Sequence, residues 1–136
     1  MKEALKIKSS KWAVIGLVIG ILILTVLELP APIGFETRPQ NNVSLVWLAL
    51  FLAILTTEIA SMVFVFKKPD FGGKLGLAAA FLNVLQVIAD QFHLMQPEVA
   101  SPGYSLIEYA VAIISIALAY FSWRVIIDSK PVHSIA

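Results

Sequence analysis

Asn83, Gln86, Asp90 and His93 follow one another at intervals of three, four and three residues. At about 100° per residue they fall within roughly an 80° arc of a helix, so they form one polar stripe. The residues between them are apolar, drawn from Leu, Ala, Val, Ile and Phe, apart from Gln91. Such a stripe is expected to look at other helices rather than at lipid. An ionisable side chain costs about 2.5–3.5 kcal/mol at the centre of a span, and those that persist there mark functional positions. Glu28, Glu58 and Glu108 join the stripe as candidates, because each falls within or at the end of an apolar run.

Three kinds of chemistry suit these residues. The first is binding of a proton, an ion or a small polar ligand: an Asp–His pair with carboxylates nearby, continued through Gln86 and Asn83 to Glu58, is the material of a proton relay. The second is acid–base catalysis on a lipid or isoprenoid, with Asp90, His93 and Glu108 as acid and base. No nucleophile motif, phosphate loop or nucleotide signature accompanies it. The third is a metal site, since carboxylate and imidazole ligands at Asp90, His93 and Glu108 would suit iron, manganese, zinc or copper. A di-iron bundle needs two Glu-x-x-His elements and two further glutamates, and this chain offers one, with Asp for Glu. Bis-histidine haem is disfavoured because His93 is the only histidine within a span; His133 lies near the C-terminus. The bland alternatives are that Glu28, His93 and Glu108 reach headgroups and water, and that Asn83 and Gln86 merely join helices by hydrogen bonds. No cofactor follows from the residues.

The elements that must carry these groups are read from the apolar runs. With 59% hydrophobic and 14% charged residues in 136, the chain is far from the quarter of charged residues usual in globular domains; its mean hydropathy is +0.87. Four runs approach or exceed the ~20 residues a bilayer core requires: about 12–29, 43–66, 75–95 and 104–127. Pro30 closes the first, Lys67, Lys68 and Pro69 the second, and Gly72 and Gly73 are expected to turn the chain into the third. Pro97 to Gly103 is a short loop. The expectation is an all-α membrane protein, a single domain of four transmembrane helices.

Lysine and arginine set its orientation. Lys2, Lys6, Lys8, Lys11, Lys67, Lys68, Lys74, Arg124 and Lys130 fall on one side, and Arg38 alone of the ten basic residues on the other. The positive-inside rule then places both termini in the cytoplasm of a cell with this protein in its inner membrane. Trp12, Trp47 and Trp123 sit near span ends, as interfacial anchors do. A cleaved signal peptide is the rival reading of the first run, but that run is long and no small-residue cleavage site follows it. Asn42-Val43-Ser44 matches a glycosylation sequon close to the membrane.

Depth follows from the 1.5 Å rise per residue. Glu28, His93 and Glu108 come out roughly 11–12 Å to the outer side of the midplane, Asp90 one turn deeper, and Glu58 roughly 5 Å to the inner side, level with Asn83. An outer layer (Glu28, Asp90, His93, Glu108, with Tyr104 or Tyr109) and an inner layer (Glu58, Asn83, Gln86, Thr57, Ser61) are expected. Glu58 has no basic residue at its level and should be protonated or hydrogen-bonded. The fourth span offers Glu108, Ala112, Ser115, Ala119 and Ser122 on one face, so spans three and four should pack together. Gly16 and Gly20 form a small-xxx-small face on the first span.

The absence of cysteine excludes disulfides, thiolate metal sites and thiol relays. A net charge of +1 implies no nucleic-acid partner; the partner expected is the bilayer, with a second copy or a larger membrane complex open. The motifs of small multidrug exporters, fluoride channels, MAPEG-type transferases and thiol-oxidising quinone reductases are all missing.

Overall fold

The computed structural model describes residues 2–39, 44–94 and 96–130, with side chains from residue 8 onward. Asn42 and Val43 of the sequon and His133 lie outside the described residues. Four helices run in order, α1 (Lys2–Leu27), α2 (Leu45–Lys67), α3 (Pro69–Gln91) and α4 (Pro102–Asp128). Each contains a stretch long and apolar enough to cross a membrane.

Local chemistry explains where each begins and ends. α1 continues through the charged N-terminal residues, which are good helix formers, and stops before Pro30, which disfavours helical backbone at Leu29. α2 is capped by Ser44, whose hydroxyl accepts from the Trp47 N–H at 3.1 Å, and α4 by Ser101, which accepts from the Tyr104 N–H at 3.2 Å. Pro102 occupies the first turn of α4, where its missing N–H costs nothing.

α3 departs from expectation at both ends. Gly72 and Gly73 are helical, and the turn is the single residue Lys68, followed by Pro69 in the first turn of α3. The glycines serve close approach instead: a Cβ on Gly72 would come 2.5 Å from the Val65 Cα, and one on Gly73 2.6 Å from the Ile126 Cγ1. The other end comes early. His93 takes a left-handed backbone, φ 59°; its N–H bonds the Asp90 carbonyl at 3.0 Å and the Leu94 N–H bonds the Ala89 carbonyl at 2.8 Å. This pair of reversed bonds is a Schellman cap, with histidine where glycine is usual.

The helices form a ring in chain order. α3 packs broadly against α2 and α4, α4 also against α1, and the α1–α2 seam is the lightest. Buried positions recur at alternating intervals of four and three: Tyr104, Glu108, Val111, Ser115, Leu118, Ser122 and Val125 on α4, and Gly72, Gly76, Ala79, Asn83, Gln86 and Asp90 on α3. This is the seam of an antiparallel helix bundle. Large apolar residues such as Ile23, Leu52, Phe81 and Ile113 point outward, as lipid-facing side chains do. Among the described residues nothing lies within 4 Å of a Cβ built on Gly16 or Gly20, so the small face of α1 packs against none of them.

Candidate functional site

The polar residues gather near the end of the bundle that carries the α1–α2 and α3–α4 loops. The first loop folds back on α1: the Phe35 N–H bonds the Leu27 carbonyl at 2.8 Å, the Ala31 N–H bonds the Glu36 carbonyl at 2.9 Å, and the Glu36 N–H bonds the Leu29 carbonyl at 3.2 Å. That return places Glu36 and Arg38 over the helix ends, both buried.

Arg38 is the organising group. Its guanidinium donates to Asp90 Oδ1 and Oδ2, each at 2.9 Å, across 52 residues of sequence. It also holds Glu36, from Nε to Oε1 at 2.9 Å and from Nη2 to Oε2 at 2.7 Å. The Glu98 carbonyl accepts at 3.3 Å, and the Tyr104 ring lies under the guanidinium at 4.9 Å. Two fork-like carboxylate pairs and a cation–π contact are the strongest ion-pair geometry side chains offer. Burial opposes the charge on Arg38, but the bonds to Glu36 and Asp90 outweigh it and raise its pKa above the ordinary value.

Glu28 is the first residue beyond the α1 span. It lines a cavity of about 40 Å³ with Glu36, Arg38, Gln96, Tyr104, Trp47 and Phe51, room for at least one water molecule. Burial, followed by the negative charges of Asp90, Glu58 and Glu36, pushes its carboxyl up to about 8. Glu108, 1% exposed on α4, accepts from Gln91 Nε2 at 2.6 Å, and Gln91 Oε1 accepts in turn from the Tyr109 hydroxyl at 3.2 Å.

Deeper in the bundle, Glu58 is fully buried and its Oε1 accepts from Asn83 Nδ2 at 2.7 Å. Its Oε2 has no hydrogen-bond partner among the described residues. Ser61 donates to the Glu58 backbone carbonyl at 2.7 Å, while Thr57 turns its hydroxyl to Ala53 and Ile54 of its own helix. Gln86 is buried between the two layers.

The stripe therefore runs through Asn83, Gln86 and Asp90 and loses His93. The left-handed cap turns that side chain out of the helix face, and it is exposed. Asp90 and Glu108 come within hydrogen-bond reach of each other and His93 does not join them, so neither the acid–base trio nor the metal set is assembled; among the described residues no group of three or more His, Asp or Glu is arranged to hold a metal ion. The residues missed were Arg38 and Glu36. A lone arginine on the side opposite the other nine basic residues, facing a layer of acids, was the signal that could have found them. The chain matches no protein-family model, no curated protein and no solved structure.

Proposed function

We propose that this is a small multi-pass protein of the cell membrane, both termini cytoplasmic, whose outer-half cluster of Glu28, Glu36, Asp90 and Glu108 binds a proton. One observation carries the reading: the buried or half-buried carboxyl groups of Glu28, Glu36, Asp90 and Glu108 lie in one layer with Arg38, its one cation among the described residues. Two of them are matched to that cation, and Glu28 and Glu108 are left with no basic partner in the described residues. An unpaired ionised carboxylate away from water is costly by several kcal/mol, so a proton is the simplest occupant. Arg38 already covers the Asp90 and Glu36 oxygens, which argues against a metal in the same place. Glu28, with its carboxyl held near neutrality and a water-sized cavity beside it, is the group that takes up and releases the proton.

The test is infrared absorption of protonated carboxyl groups in the lipid-reconstituted protein as pH is varied. A carboxyl band that disappears between about pH 7 and 9, and is missing in Glu28→Gln, supports the proposal. A wild-type spectrum without any protonated carboxyl at neutral pH overturns it.

A further inference from the structure

The deep carboxyl of Glu58 is not accounted for by the outer cluster. We infer that Glu58 is a second proton site, placed past the middle of the membrane and reached from the outer side only. The inference shares the orientation proposed above and otherwise stands on separate residues.

The geometry begins with unfilled oxygens. Glu58 Oε2, Ser115 Oγ and Ser122 Oγ are all buried, in residues that are 0% exposed, without a hydrogen-bond partner among the described residues. The Gln91–Glu108 bond and the room that Gly76 leaves for the Ser122 hydroxyl fix the antiparallel register of α3 and α4. That register sets Asn83 opposite Ser115, with Glu58 on its other side. The midpoint of the bundle thus holds a carboxyl and a hydroxyl around one amide, with acceptor capacity that the fold leaves unused. Buried polar oxygens are nearly always partnered; a proton or a water molecule supplies what is missing.

Access is one-sided. On the loop side, polar groups continue from Asn83 through Gln86 to Asp90, in steps of about 4.5 and 6 Å along the helix, and Asp90 joins the cavity layer through Arg38. Ile21 on α1 and Ile54 on α2 are buried on the loop side of Glu58. On the basic side, Val14, Val18, Val65, Leu118 and Val125 are buried and pack in one apolar cluster, interrupted by the hydroxyls of Ser122 and of Ser61, the latter spent on the Glu58 backbone carbonyl. The ionisable groups facing Glu58 are Glu28 beyond the end of α1, close enough for the charges to act on each other, with Asp90 on α3 and Glu108 on α4 in the layer above. No lysine or arginine faces it among the described residues.

A proton from water on the loop side binds the Glu58 carboxylate and returns by the same way, with no bond to the other face. Glu58 lies 13 residues into α2, roughly 20 Å from its loop end, so the proton crosses a little over half of the membrane field. Proton affinity should then change roughly eight- to tenfold per 100 mV.

Proteoliposomes of known sidedness on a solid-supported electrode test this by a pH jump. The wild type should give a transient current that decays to zero for a jump on the loop side and none for a jump on the Lys68 side. Glu58→Gln should abolish the transient while the infrared titration of Glu28 persists, which separates this site from the outer one. Should Glu58→Gln fail to fold, Asn83→Ala serves: the pH of half-maximal transient should move by about one unit on loss of the hydrogen bond. An unchanged transient in these variants overturns the assignment. A steady current, or a response from the Lys68 side, overturns one-sided access.

Discussion

Replacing Arg38 by alanine removes the only cation from between Asp90 and Glu36. Both carboxylates then remain in place, 5% and 6% exposed, with the loop that carries Glu36 still tied to Leu27 and Leu29 by backbone bonds. Breaking a buried pair by deleting one partner costs about 3–5 kcal/mol, because the other charge stays behind. Two carboxylates lose their partner here, while the freed volume admits water and softens the loss, so the upper part of that range is expected. For a chain of this length 1 kcal/mol corresponds to about 3–5 °C, and Arg38→Ala should lower the apparent melting temperature in detergent by roughly 12–25 °C. The control distinguishes charge from packing. Arg38→Met combined with Glu36→Gln and Asp90→Asn leaves no charge unpaired and should recover most of the loss, since a buried ion pair is often no better than well-packed neutral groups. An Arg38→Ala protein melting within about 2 °C of wild type would falsify the claim that Arg38 organises the outer cluster.

Three further outcomes follow from the same geometry. The fold holds the Glu28 proton more tightly than the unfolded chain does, with a carboxyl at about 8 against an ordinary 4.5; its contribution to stability is complete below about pH 4.5 and is lost as pH rises through about 8. Melting temperature should fall across that window, and Glu28→Gln should flatten the fall; an unchanged slope in the variant counts against the burial of Glu28. His93→Gly should raise stability by about 1 kcal/mol, because glycine adopts the left-handed cap without the cost a side chain meets there; a loss of stability would restore His93 to the polar stripe. The cysteine-free chain makes topology direct to read: Ile33→Cys, at a position 71% exposed, should react with an impermeant maleimide added outside intact cells, and Lys130→Cys should react only after permeabilisation.

How much of this was written in the sequence depends on distance along the chain. The four helices, the face shared by α3 and α4 and the common level of Glu58 and Asn83 all follow from periods of a few residues, and 1.5 Å per residue is enough to place them. Two features escaped that arithmetic. Arg38 reaches Asp90 because a loop of about ten residues folds back on α1, and no helical period encodes a loop's return. His93 left the stripe because the helix stopped two residues before it; a Schellman cap without glycine has almost no sequence signature. Gly72 and Gly73 illustrate a third case, in which glycine meant close packing against Val65 and Ile126 rather than a turn.

The central claim is that a carboxyl in the outer cluster carries an exchangeable proton near neutral pH. Carbon-13 labelling of glutamate carboxyls and magnetic resonance of the protein in lipid nanodiscs, taken through a pH series, read this one residue at a time. A resonance that titrates near pH 8, vanishes in Glu28→Gln and shifts on loss of the Asp90 charge in Asp90→Asn is the expected result. If the Glu28 resonance titrates at the ordinary value of about 4.5, the outer cluster does not hold a proton in the way proposed.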